Sequence, residues 1–258
     1  MAAEEPQPTR LVLHDGVATI ILNRPKERNS LSAALLDSLC DNLEACMSDC
    51  AVRLIVLTNE GGTFCAGADL KNSGGPPRRS LPELLMLLRQ GPKVVIGRIN
   101  GHCVGGGVGI AAACDISVIS SSATVAFAEV RLGVAPAIIS VVCLPKLRRG
   151  DAAELMLSGE RITADRAAAI GLLNHSVHPS ELDAKVEELI GKLLLGGPNA
   201  LAATKALLHD VPGMPVDEAF RWTSEVSARC FQSQEAADGI TALMRRKDPP
   251  WVPARPRL

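Results

Sequence analysis

The segment KVVIGRINGHCVGGGVGIAAACDISVIS, Lys93 to Ser120, restricts the fold more tightly than any other part of the chain. An apolar run, Val94 to Asn100, stops at a cluster in which five of the ten residues from Asn100 to Gly109 are glycine. Small apolar residues follow, and then a second apolar run ending in DISVIS. Strand, glycine turn, helix, strand is an α/β rhythm. Gly105, Gly106 and Gly107 allow a sharp turn and a close backbone approach at the start of a helix. Free N–H groups and the positive end of the helix dipole lie there, ready to hold an anion or a developing negative charge. On these residues alone two other uses stay open. Gly107, Gly109 and Ala112 fit the dinucleotide pattern G-x-G-x-x-A, with Glu129 about 20 residues on. The glycines also suit tight packing of helix against strand.

A chain of 258 residues accommodates one large domain, or one domain with an appended helical piece. Its 27 basic and 28 acidic side chains leave a net charge of −1, so no long-range field draws in polyanions or anionic lipid. With no Tyr and four Phe it lacks the stacking surface of a single-strand nucleic-acid binder. Neither nucleic acid nor membrane is expected as a partner. The start, MAAEEPQPTR, has no apolar core of a secretory signal, and no stretch reaches the roughly 20 apolar residues of a membrane span. Eight cysteines without a C-x-x-C pair fit reduced thiols and a cytoplasmic location. Cys46 and Cys50 share a helix face with no histidine nearby, so no metal is expected.

Arg10 to Asn23 alternates around Asp15-Gly16, which predicts a hairpin. Ser32 is placed to cap a helix running to about Met47, with Leu35, Leu36, Leu39 and Leu43 at helical spacing. AVRLIVLTNE reads as a buried strand, Gly61 to Ser80 as a loop, and SLPELLMLLRQ as a helix. Beyond DISVIS come five helical segments with hardly a strand between them, the last running unbroken from Val216 to Lys247. This divides the chain into an α/β core, residues 1–190, and a helical region, 191–258, expected to pack on its own core and on another subunit.

Thr63 to Lys71, TFCAGADLK, is a second glycine-containing loop after a buried strand. Two loops that bare backbone N–H groups can grip one carbonyl oxygen from two sides, an oxyanion hole, in which each donor is worth about 2.7–4 kcal/mol as charge grows on the oxygen. Taken together, NRPKERNSLS, GTFCAGADLK, NGHCVGGGVGIAAACDI, FAEVRLGVAPA, SGERITADRAAAIGLLNHSV and DGITALMRRKDPPW resemble, in order and spacing, the crotonase superfamily, the enoyl-CoA hydratase/isomerase family. The resemblance extends over residues 10–251.

It implies an α/β fold, a crotonase-like spiral of ββα units with a C-terminal helical trimerisation region, assembled as a homotrimer or dimer of trimers. It implies an acyl-CoA thioester substrate and no cofactor. The oxyanion hole falls on the amides of Ala68 and Gly106, and the proton-transferring carboxylate on Glu129. Ala66, Ala68, Asp69, Leu70, Lys71, Gly105, Gly106, Gly109 and Pro136 fall along the acyl-CoA channel. Lys26 and Arg28 lie toward the nucleotide, and Lys247 reaches a neighbouring subunit's CoA phosphates. Asp69 also reads as a loop-capping carboxylate, His102 and Asp115 as structural, and Cys65 and Cys103 as lacking a thiolate-stabilising partner.

One departure matters for chemistry. Hydratases of the family use two glutamates, and the place of the first is Gly109. A second departure is PAIIS, Pro136 to Ser140, where many members have a glycine-rich turn. EVRLGVAPAIIS after Gly109 resembles a bacterial subgroup that includes 3-methylglutaconyl-CoA hydratase-like proteins, which favours enoyl-CoA hydration in fatty-acid or branched-chain breakdown. A lone glutamate at 129 also resembles the Δ3,Δ2-enoyl-CoA isomerases, and loss of the first glutamate fits a non-catalytic acyl-CoA-binding homologue as well.

Overall fold

A computed structural model describes residues 7–71 and 75–252; most of the acidic start and the middle of the loop expected from Gly61 to Ser80 lie outside the described residues. β1 (Thr9–His14) and β2 (Val17–Leu22) form an antiparallel hairpin. Asp15 and Gly16 both take positive φ, 45° and 77°, as a two-residue primed turn requires. α1 (Ala33–Ser48) starts where the Ser32 hydroxyl accepts the Leu35 N–H at 3.3 Å. β3 (Leu54–Asn59), β4 (Thr63–Cys65) and α2 (Leu81–Gln90) follow, α2 opening on a capping box between Ser80 and Glu83. The next turn of chain repeats the pattern with β5 (Val94–Ile99), β6 (His102–Val104) and α3 (Gly106–Ala113). β7 (Ile116–Ser120) and β8 (Thr124–Ala126) begin a further turn, completed by α4 (Ala137–Cys143) and α5 (Arg149–Ser158).

Each turn lays one strand in a six-stranded sheet, β1-β2-β3-β5-β7 and a last strand, and the next in a four-stranded sheet. The last strand of the large sheet is β10 (His175–Val177), reached through β9 (Arg161–Thr163) and α6 (Ala164–Ala169). From β2 onward the large sheet is parallel; the small sheet runs β4-β6-β8-β9, with only β9 antiparallel. The chain is therefore a spiral of ββα units. α3 is buried on every side, which explains its glycines and alanines. On the outer face of the large sheet, Val56, Ile96 and Val118 pack against Leu182, Val186 and Leu189 of α7 (Leu182–Leu194). β3 is thus apolar on both faces, which is why it reads as an unbroken hydrophobic run.

Three helices complete the chain: α8 (Pro198–Asp210), α9 (Val216–Phe231) and α10 (Gln234–Met244). The boundary drawn between residues 190 and 191 falls inside α7, and the chain breaks direction only near Gly196 and Gly197. α8 is tied to the core by Lys205. Its ammonium group, 3% exposed, donates to Leu88 O and Asp115 Oδ2 at 2.7 Å and to Lys93 O at 2.8 Å. Asp115 also accepts the Val95 N–H, so this carboxylate joins α3, α8 and β5. The segment expected as one helix from Val216 to Lys247 is two, because Ser233 ends α9 and caps α10 by accepting the Ala236 N–H. β4, β6, β8, β9, β10 and α4 are additions to the sequence reading; the strands among them are three residues long, too short to show a period.

Candidate active site

The two glycine-containing loops lie against each other. Gly67 has φ +85°, and a β-carbon there would stand 2.9 Å from Val104 O and 3.3 Å from Gly106 N. Only glycine permits both the backbone angle and the approach. The Gly67 carbonyl accepts the Leu31 N–H at 2.8 Å, so across a trans peptide the Ala68 N–H points the opposite way. The Gly105 carbonyl turns into α3, accepting from Val108 and Gly109, which leaves the Gly106 N–H projecting from the helix start. Among the described residues neither amide donates to a protein acceptor. Both residues line one cavity of about 450 Å³.

Glu129 lines the same cavity. It opens a single 3-10 turn, Glu129–Leu132, directly after β8, and its Oε1 lies against Gly105, where a β-carbon would stand 3.1 Å away. Gly105 has φ +54°, so it serves both the turn and the carboxylate's closeness. Glu129 Oε2 is buried with no hydrogen-bond partner among the described residues. Burial raises the pKa of this carboxyl above the usual glutamate value, because nothing adjacent replaces the lost water. Two backbone donors and one basic carboxylate with a free lone pair thus converge on a space of small-molecule size.

Of the residues expected along the channel, Ala66, Ala68, Leu70, Gly105, Gly106, Glu129 and Pro136 line this cavity. Arg28 lines a separate cleft of about 300 Å³ with Thr63, His102 and Arg161, joined to the first at Ala66. Asp69 Oδ1 accepts the Lys71 N–H at 3.0 Å and so caps its own loop. Lys26, Lys71 and Lys247 are exposed and away from the lining of both spaces. Gly109 is the main correction. It is buried and outside the cavity lining, since a β-carbon there would overlap Ile139 Cγ2 and lie 2.9 Å from Ile139 Cβ. The place where the family carries its first glutamate is filled by an aliphatic side chain from α4. The apolar walls, Leu31, Leu36, Leu81, Ile138 and Ile139, were missed from the sequence because nothing distinguishes them there from core residues.

The other candidates take structural places. His102 Nδ1 accepts the Thr124 N–H at 3.1 Å, and Asp115 holds the α8 tie. Burial pushes the Cys65 thiol up to about 12 and Cys103 well above its usual value, so neither is a thiolate at neutral pH. Among the described residues no three metal-ligating side chains cluster. A β-carbon on Gly107 would overlap Cys65 O, so Gly107 and Gly109 both face protein rather than a cofactor phosphate. That removes the geometric basis of the dinucleotide reading.

The sequence matches the family described as enoyl-CoA hydratase/isomerase over residues 13–253. It is 32% identical over 240 residues to the crotonyl-CoA hydratase of Syntrophomonas wolfei, covering 90% of this chain and 92% of that protein. It is 31% identical over 243 residues to the short-chain-enoyl-CoA hydratase of Clostridium acetobutylicum, covering 90% and 92%. The crystal structure of enoyl-CoA hydratase from Mycobacterium smegmatis superposes with a TM-score of 0.88 at 28% identity, covering 96% of this chain and 99% of that one. With a match spanning nearly its full length and this degree of shared fold, the protein belongs to the enoyl-CoA hydratase/isomerase family of the crotonase superfamily.

Proposed function

We propose that this protein is an enoyl-CoA hydratase. The thioester oxygen of a 2-enoyl-CoA accepts hydrogen bonds from Ala68 N and Gly106 N, and Glu129 carries the proton. The observation that carries the reading is the opening of two unengaged amides and one buried, unpartnered carboxylate oxygen into a single cavity. Water adds its oxygen to C3 while Glu129 takes its proton, and the C2–C3 π electrons move onto the thioester as an enolate. The same carboxyl then gives the proton to C2. The enolate is the species that gains most from the paired amides, because charge on oxygen is largest there. The raised basicity of Glu129 suits a group that must both accept and return a proton near neutral pH. The names of the relatives support this substrate class.

One observation favours a second reading. Ile139 stands where a second acid would be, and moving one proton from C2 to C4 of a 3-enoyl-CoA needs only one carboxylate. Incubation with crotonyl-CoA in ¹⁸O-labelled water, and separately with a 3-enoyl-CoA, separates the two: label at C3 marks hydration, and double-bond migration without label marks isomerisation. Binding of both thioesters with turnover of neither would leave an acyl-CoA-binding homologue. Full turnover by Glu129→Gln would remove Glu129 from the proton path. We assign a homotrimer or dimer of trimers to the assembly, supported by the large apolar side chains that α9 and α10 expose, Val216, Phe220, Phe231, Leu243 and Met244. Lys26, Arg28 and Lys247 are assigned to the CoA nucleotide and phosphates, Lys247 from the neighbouring subunit. Reduced thiols are consistent with a cytoplasmic setting.

A further inference from the structure

We propose that Ile139 is a specificity-determining residue that restricts the site to uncharged acyl chains unbranched at C3. The inference rests on the enoyl-CoA reading above and names the substrate class within it. Gly109 lies three residues after Gly106 on α3, on nearly the same face and about 4.5 Å further along the axis. With the thioester oxygen on Gly106 N, C2 and C3 of the acyl group fall beside that position. Ile139 Cγ2 occupies it, and Ile139 Cβ stands 2.9 Å from the place of the missing β-carbon. Ile139 is 2% exposed and packed between α3 and its own helix, so it cannot swing aside. A substituent on C3 therefore meets a fixed methyl group on this side, while Glu129 occupies another part of the same wall.

Charge is excluded by a separate feature. No lysine, arginine or histidine lines the cavity among the described residues, and its one ionisable group is the acid Glu129. A carboxylate carried by the acyl chain would be desolvated beside another carboxylate with no cation to pair it, the costliest way to bury a charge. The bacterial subgroup resembled at the sequence level includes 3-methylglutaconyl-CoA hydratase-like proteins, whose acyl group is both branched at C3 and carboxylated. Ile139 and the uncharged lining turn this site away from that substrate class.

The test is kcat/KM for crotonyl-CoA, 2-hexenoyl-CoA, 3-methylcrotonyl-CoA and glutaconyl-CoA with the wild type, Ile139→Val and Ile139→Ala. One misfitting carbon in an apolar pocket is worth about 10–200-fold. The expected result is a straight-to-branched preference above about tenfold in the wild type, smaller in Ile139→Val and below about threefold in Ile139→Ala. Glutaconyl-CoA stays slow, by about 100-fold, in all three. Equal loss on straight and branched substrates in both variants would make Ile139 merely structural and overturn the proposal, as would glutaconyl-CoA turning over like crotonyl-CoA. If no enoyl-CoA is turned over, the functional reading fails instead. The proposal is then judged by calorimetric binding of butyryl-, isovaleryl- and glutaryl-CoA, where the same order of preference is required and its absence overturns it. Ile139→Val, which removes one carbon, keeps the test available if Ile139→Ala does not fold.

Discussion

The Gly109–Ile139 contact supplies a quantitative test of how the active-site wall is built. In Gly109→Ala the added carbon overlaps Ile139 Cγ2, and neither partner has room to retreat, α3 being buried on all sides and Ile139 being 2% exposed. Overpacking of this kind costs about 1–3 kcal/mol. The change also gains about 0.5–1 kcal/mol, because alanine is the better helix residue. The single variant should therefore lose between about 0 and 2.5 kcal/mol. Ile139→Ala removes a buried side chain from the same wall and should cost about 2–5 kcal/mol. In the double variant the new methyl group enters the space that Ile139 Cγ2 has left, so the overpacking disappears and the cavity shrinks. The double variant should be more stable than the sum of the singles by about 1–3 kcal/mol. Urea unfolding of all four proteins at one fixed protein concentration gives the coupling, read from midpoints at a common m-value. Additivity within about 0.5 kcal/mol would mean that the two residues are not interlocked, and the account of why no second acid stands there would fall with it.

Three further outcomes follow from the same geometry. Glu129→Gln should lower kcat for crotonyl-CoA by about 10²–10⁴-fold, since it keeps the shape and removes the proton carrier; a stopped-time product assay measures it. The raised pKa of Glu129 fixes two pH dependences. The base must be ionised, so wild-type kcat/KM should fall with decreasing pH through a value above the ordinary carboxylate range. For stability, the folded protein holds this proton more tightly than the unfolded chain does. Glu129 therefore penalises folding above its raised pKa and is neutral below the unfolded value, so Glu129→Gln should be the more stable protein at pH 7 and lose that advantage as pH falls to the acid side of the carboxylate range; a variant less stable at pH 7 than at pH 4, relative to wild type, would contradict the assigned burial. Lys205→Met should cost about 3–5 kcal/mol, because it leaves Asp115 buried beside two carbonyls that have lost their donor; thermal denaturation that leaves the midpoint unmoved would refute the tie.

What could be read from the chain alone depended on how local the physics is. The β1–β2 hairpin was legible because Asp15-Gly16 needs no partner to choose its turn, and α1 and α2 were legible because Ser32 and Ser80 cap their own helices. The two glycine loops announced a close backbone approach, and the structure brings them together at Gly67 and Gly106. Strands of three residues were invisible, since β6 and β8 exist through pairing with chain 20 or more residues away and carry no period of their own. Gly109 and Ile139 show the same limit at the site. Each residue alone is unremarkable, a helix glycine and an aliphatic on a short helix, and their meaning lies only in the sharing of one volume. The sequence pattern named a missing acid; packing shows that its place is filled by carbon. A chain that fills the place of an acid with carbon has closed off the two-acid route, so whatever chemistry occurs here must be done by Glu129 against the paired amides. That is why activity, pH profile and the Gly109–Ile139 coupling form one connected test: each probes the same wall of the cavity from a different side.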